Sequence, residues 1–152
     1  MSELDRQRDV IHVVKDMGGH AYKSSNQWLV GICDLVVKVP YKPVAFLEAK
    51  LNDAPKRSAF FRLGLTSIQE KFLRDMDAAG AYAGVISFVQ GPGKRDKSVR
   101  IIPFNKLEWT HDGKHAVEDW ADYKPGTNWK DEIRRALTTL PGNEPRKFRA
   151  FE

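Results

Sequence analysis

Asp34, Glu48 and Lys50 are the residues of this chain whose types and spacing could do chemistry together. Strand alternation puts Asp34, Val36 and Lys38 on one face of a strand, with Leu35, Val37 and Val39 on the other. In the next strand Phe46, Glu48 and Lys50 share a face, and Leu47 and Ala49 point the opposite way. An ionisable pair at i and i+2 near the end of an apolar strand is costly to desolvate and needs a partner. A divalent cation supplies one: two carboxylates are hard oxygen donors suited to Mg²⁺, with Mn²⁺ as a substitute, and the Ala49 carbonyl adds a third oxygen. Such a set suits phosphodiester hydrolysis, which demands a water of lowered pKa, a neutralised phosphate and a stabilised leaving oxygen. Lys50 orients the nucleophile, and general acid-base help of this kind is worth about 10²- to 10⁴-fold in rate. An isolated Glu-x-Lys is more often an exposed pair, so the elements that carry it decide its meaning.

The chain has 152 residues, 41% hydrophobic, 30% charged and 11% aromatic, enough for one compact domain with its own core. No apolar run approaches the about 18 residues of a membrane-spanning helix, so no membrane partner is expected. The N-terminus MSELDRQRDV lacks a secretory apolar segment, and the single Cys33 cannot form an internal disulfide. Both point to a reducing cytoplasm, bacterial or that of a phage-infected host. With 25 Lys and Arg against 20 Asp and Glu, the net charge of +5 favours a polyanionic partner.

Residues 2–17 have helical apolar spacing, with Ser2 as N-cap and Gly18-Gly19 as the stop. Short strands are expected at His20 to Lys23 and Ile32 to Val39, and a further one at Val44 to Lys50. Pro40 to Pro43 make an antiparallel hairpin between the last two. Leu51 to Gly64 reads as a basic loop. Ser67 to Ala79 forms a helix with an apolar stripe of Leu65, Ile68, Phe72, Leu73 and Met76, ended by Gly80. Strands at Tyr82 to Val89 and Val99 to Phe104 flank a Gly-rich turn, and a last helix spans Asn128 to Leu140. Residues 105–126 show no clear period. The expected fold is α/β, a mixed central sheet of four or five strands, with the first helix on one side and the Ser67 helix near the active edge.

In order along the chain, Gly31-Ile-Cys-Asp34-Leu, Phe46-Leu-Glu48-Ala-Lys50, Leu65-Thr66-Ser-Ile-Gln69 opening a helix, and Ala79-Gly80-Ala81 before a strand resemble the PD-(D/E)XK nuclease superfamily. More narrowly they resemble small Holliday-junction resolvases and virus-type replication-repair nuclease domains. The resemblance covers residues 2–90 and implies a restriction-endonuclease-like core there, with residues 105–152 an accessory part of one nuclease domain. It implies that Asp34 and Glu48 bind metal, that Lys50 positions the attacking water and that Gln69 lies at the site. Glu3 corresponds to the acid that completes the metal site in resolvase-like members, with Asp9 a rival and Ser2-x-x-Asp5 also a capping box. Thr66-x-x-Gln69 is a capping box too. Ser25, beside Ser24, sits where such enzymes can carry a catalytic serine. One departure is Cys33, which replaces the usual proline before Asp34 and is read as a small core residue.

The implied activity is Mg²⁺-dependent, structure-selective cleavage of branched DNA such as a four-way junction, by a homodimer whose symmetry matches the substrate's. Rival readings are a less selective nicking or DNA-degrading nuclease, as in a phage, and a catalytically silent DNA-binding module. Lys56, Arg57 and Arg62, with Lys94, Arg95, Lys97 and Arg100, are candidate phosphate contacts. His111 and His115 have a zinc-like spacing, but Asp112-Gly113 makes a loop there. Gly91-Pro-Gly93-Lys94 lacks the phosphate-loop spacing. Trp28, Trp109, Trp120 and Trp129 read as packing residues.

Overall fold

The computed structural model describes residues 2–24, 32–92 and 96–142. Helix α1 (Glu3–Asp16) starts at the Ser2 cap, whose side chain accepts the Asp5 N–H while Asp5 accepts the Ser2 N–H. It buries Val10, Val13 and Val14, and Gly18 follows it at φ 87°, a left-handed conformation that costs glycine nothing. Strands β1 (His20–Lys23), β2 (Leu35–Lys38), β3 (Ala45–Asp53), β5 (Tyr82–Gln90) and β6 (Lys97–Pro103) build one sheet in the order β1-β2-β3-β5-β6. Only the β3–β5 pair is parallel. Helix α2 (Ser67–Ala78) is the crossover between those two strands, as parallel pairing requires.

The two faces of the sheet bury different sets of side chains. Leu35, Val37, Leu47, Ala49, Ile86 and Phe88 face α1 and the last helix, α3 (Trp129–Thr138). Phe46, Ala83, Val85 and Ile102 face α2, through Leu73, Phe72 and Met76. This is the expected mixed α/β sheet, with five strands.

Several boundaries differ from the sequence expectation, each for a pairing reason. Strand β2 begins at Leu35 rather than Ile32, because at Asp34 a side-chain bond replaces the ladder to β3. Strand β3 runs past Lys50 to Asp53 because its parallel register with β5 continues to Asp53↔Gln90. The basic stretch read as a loop contains strand β4 (Phe60–Arg62). It pairs with β8 (Ala116–Asp119), which also pairs with β7 (Glu108–Trp109), so the region without a clear period contributes two strands of a second, three-stranded antiparallel sheet. The two- and three-residue strands β7 and β4 are too short to show alternation, so their long-range partners define them.

Candidate active site

Extending the β2–β3 register one step beyond Leu35↔Leu47 sets Asp34 across from Glu48. Both lie on the face that packs against α2, opposite Leu35, Leu47 and Ala49. Asp34 is held there by its own carboxylate, whose Oδ2 accepts the Ala49 N–H at 2.9 Å. Glu48 is 2% exposed. Burial first, then hydrogen bonding to the Asp34 carboxyl and that group's charge, push Glu48 up to about 9, against the smaller opposing pull of Lys50. Two carboxyls held this close on one face offer a pair of hard oxygen donors of the kind a divalent cation takes.

Gln69, in the first turn of α2, ties the site together. Its Nε2 donates to Glu48 Oε1 at 2.7 Å, and its Oε1 accepts from Lys50 Nζ at 3.0 Å. The same Oε1 accepts the Thr66 N–H at 3.0 Å, while Thr66 Oγ1 accepts the Gln69 N–H at 3.2 Å. One side chain therefore both caps the helix and bridges Lys50 to Glu48. Capping fixes the backbone of the turn, and that turn places the amide between the acid and the ammonium.

The other described candidates make none of these contacts. Glu3 is half-buried on the stripe of α1 that carries Arg6, Gln7 and Val10, and among the described residues no three His, Cys, Asp or Glu side chains gather into a metal-holding group. Asp9 pairs with Arg6 at 3.3 Å, and Arg6 lies over the Trp129 ring at 4.9 Å, on the side of the sheet away from Glu48. Cys33 is buried and its thiol is pushed up to about 12, chiefly by burial, as suits a core residue. Lys56, Arg57 and Arg62 are exposed. Arg100 is engaged within the chain: Nη1 lies 2.6 Å from Glu118 Oε1 and 3.8 Å from Asp122 Oδ2. Ser25, Lys94, Arg95 and Trp28 lie outside the described residues. Trp109, Trp120 and Trp129 pack against Phe104, Tyr123 and Phe88, with ring centroids 6.2, 5.6 and 5.9 Å apart.

A buried polar chain beside Lys50 was not foreseen. Ser87, fully buried, is the register partner of Lys50 on β5 and of Arg100 on β6. Tyr123 Oη lies 2.9 Å from Ser87 Oγ and 3.0 Å from Glu118 Oε1, whose carboxyl is raised first by burial and lowered in part by Arg100. These bonds and the 5.6 Å contact of Phe61 with the Tyr123 ring dock the small sheet on the site face. The one signal in the sequence is Ser87 itself, a lone polar residue within the apolar run Val85 to Val89.

Fold and site together define an α/β protein of restriction-endonuclease-like architecture with two acids, a lysine and a glutamine on one side of its sheet. A solved structure shares the fold: Hjc, a Holliday junction resolvase from the archaeal hyperthermophile Archaeoglobus fulgidus, is 18% identical, with a TM-score of 0.54 over 79% of this chain and 90% of that one. No protein-family model matches the chain, and no curated protein matches it.

Proposed function

We propose that the protein is a Mg²⁺-dependent nuclease of the PD-(D/E)XK type that hydrolyses DNA phosphodiesters, with branched DNA such as a four-way junction as its preferred substrate. The observation that carries this reading is the Gln69 amide bridging Lys50 Nζ and Glu48 Oε1 above the Asp34–Glu48 pair. That arrangement puts an ammonium beside two hard oxygen donors.

Asp34, Glu48 and the Ala49 carbonyl would hold Mg²⁺, a cation that takes one or two carboxylates and fills its remaining positions with water. When bound, the ion lowers the pKa of a water and offsets phosphate charge. Lys50 orients the attacking water toward phosphorus and offsets charge that develops on the phosphoryl oxygens as the new P–O bond forms and the ester P–O bond breaks. Gln69 holds the Lys50 ammonium in line, and the Ala49 N–H keeps Asp34 from turning away. Exposed Lys56, Arg57 and Arg62 contact backbone phosphates, which positions DNA without reading its sequence. The similarity of fold to a structure described as a Holliday junction resolvase supports the choice of substrate. A two-fold junction asks for two sites related by the same symmetry, hence a homodimer.

The test is cleavage of a four-way junction, a flap and a linear duplex at equal concentration, in Mg²⁺ or chelator, by wild type, Glu48→Ala and Lys50→Ala. The expected result is Mg²⁺-dependent cutting of the junction, reduced about 10²- to 10⁴-fold in Lys50→Ala. Equal cutting of all three DNAs replaces the junction reading with a nicking or degrading nuclease, and binding without cutting replaces it with a silent DNA-binding module. Sedimentation showing monomer alone, with and without junction DNA, removes the homodimer.

A further inference from the structure

We infer that Phe60 is a stacking platform for a DNA base with an unstacked face, carried on the segment that joins the two site-bearing elements. The inference rests on the nuclease reading for its substrate and deepens it, because it names what separates branched or single-stranded DNA from a continuous duplex.

Residues 54–66 leave β3, which carries Glu48 and Lys50, and return to α2, which carries Gln69. Between Asp53 and Glu70 the chain has no acid, while Lys56, Arg57 and Arg62 are all exposed. The segment is not loose. Phe60 N–H donates to Ser58 Oγ at 3.1 Å, Trp120 N–H donates to the Ala59 carbonyl at 2.7 Å, and β4 is paired with β8 through Phe60↔Asp119. Leu63 and Leu65 pack into the cluster under α2.

Alternation then sorts the two phenylalanines. Phe61 turns inward against Tyr123, which reaches Ser87, the neighbour of Lys50. Phe60 turns the other way, with Arg62. It is 53% exposed, the one phenylalanine among the described residues left open, and no ring pairs with it there. An exposed flat ring held on a fixed strand, opposite Asp119 but on a segment that also exposes Lys56, Arg57 and Arg62, offers an opened strand a π-face for a base and cations for its phosphates. A base inside a continuous duplex is stacked on both faces and gains nothing from the ring, whereas a paired base at a branch point, like a base in a single strand, can present an open face to it.

The experiment measures binding of the full chain, in chelator so that no cutting occurs, to a four-way junction, an oligo-dT single strand and a linear duplex. The variants are Phe60→Ala, Phe60→Trp and Arg62→Ala, each checked for folding by circular dichroism. Phe60→Ala should weaken junction and single-strand binding by about tenfold or more with under about twofold change on duplex, and Phe60→Trp should restore it. Arg62→Ala should weaken all three DNAs alike and lower the salt slope by about one. Phe60→Ala binding every DNA as wild type does, or losing all three equally, overturns the proposal. The companion cleavage assay in Mg²⁺ keeps the two ideas apart. Cutting with a neutral Phe60→Ala removes the platform and leaves the nuclease, and selective loss in a protein that cuts nothing keeps the platform and removes the nuclease.

Discussion

Asp34 and Ala49 are joined by a hydrogen bond of 2.9 Å from the Ala49 N–H to the Asp34 carboxylate, made where the β2–β3 ladder would otherwise continue. The bond has a structural use, since it satisfies a buried donor, and a chemical one, since it holds an acid against Glu48. Asp34→Asn keeps an acceptor and loses the charge. It should retain the wild-type fold and lose cleavage. Asp34→Ala loses both and should also unfold more easily, by about 1–3 kcal/mol for the orphaned N–H. Urea titration read beside a cleavage assay separates the two, and equal stability of Asn and Ala variants would contradict the structural part.

Glu48 ties stability to pH. Its carboxyl titrates at about 9 in the folded protein, raised by burial and by Asp34 from an ordinary value near 4.5. Between those values the folded chain holds more protons than the unfolded one, so stability should fall as pH rises from about 5 to about 9. On the proposed reading Mg²⁺ would need the ionised pair, so its binding should release a proton, tighten with rising pH and flatten that fall. Melting curves across this range, with and without Mg²⁺, read the effect, and Glu48→Gln should abolish both the slope and its response to the ion. A metal-free profile that rises with pH would show that the pair holds no proton.

The double use of Gln69 gives a separation of stability from activity. Thr66→Ala removes only the cap and should cost about 1 kcal/mol with cleavage intact in the remaining folded protein. Gln69→Ala removes the bridge from Lys50 to Glu48 as well, so kcat should fall at least about tenfold with KM for DNA nearly unchanged. Full activity in both would leave Gln69 as a cap alone.

Arg100 is the partner that lets Glu118 stay 4% exposed. Arg100→Ala should cost on the order of 2–3 kcal/mol, below the about 3–5 kcal/mol for breaking a fully buried pair, because the Arg100 side chain is itself 37% exposed. Tyr123→Phe should cost about 1 kcal/mol by removing the hydroxyl between Ser87 and Glu118. Thermal unfolding measures both, and an Arg100→Ala protein as stable as wild type would mean that solvent already compensates Glu118.

The chain's own order of residues determined the long, periodic or capped pieces: α1 after Ser2, α2 after Thr66, the apolar strands around Leu35, Leu47 and Val85, and the shared face of Glu48 and Lys50. These follow from local rules, the 3.6 and 2.0 residue periods and the hydrogen-bonding needs of helix ends, which act within a few positions. Tertiary structure alone decided what those rules do not reach. The three-stranded sheet, the engagement of Arg100 by Glu118 and Asp122, and the outward turn of Phe60 all depend on partners brought from far along the chain. The direction of a side chain on a three-residue strand, and whether a surface cation meets an acid or open water, are set by what packs across from it.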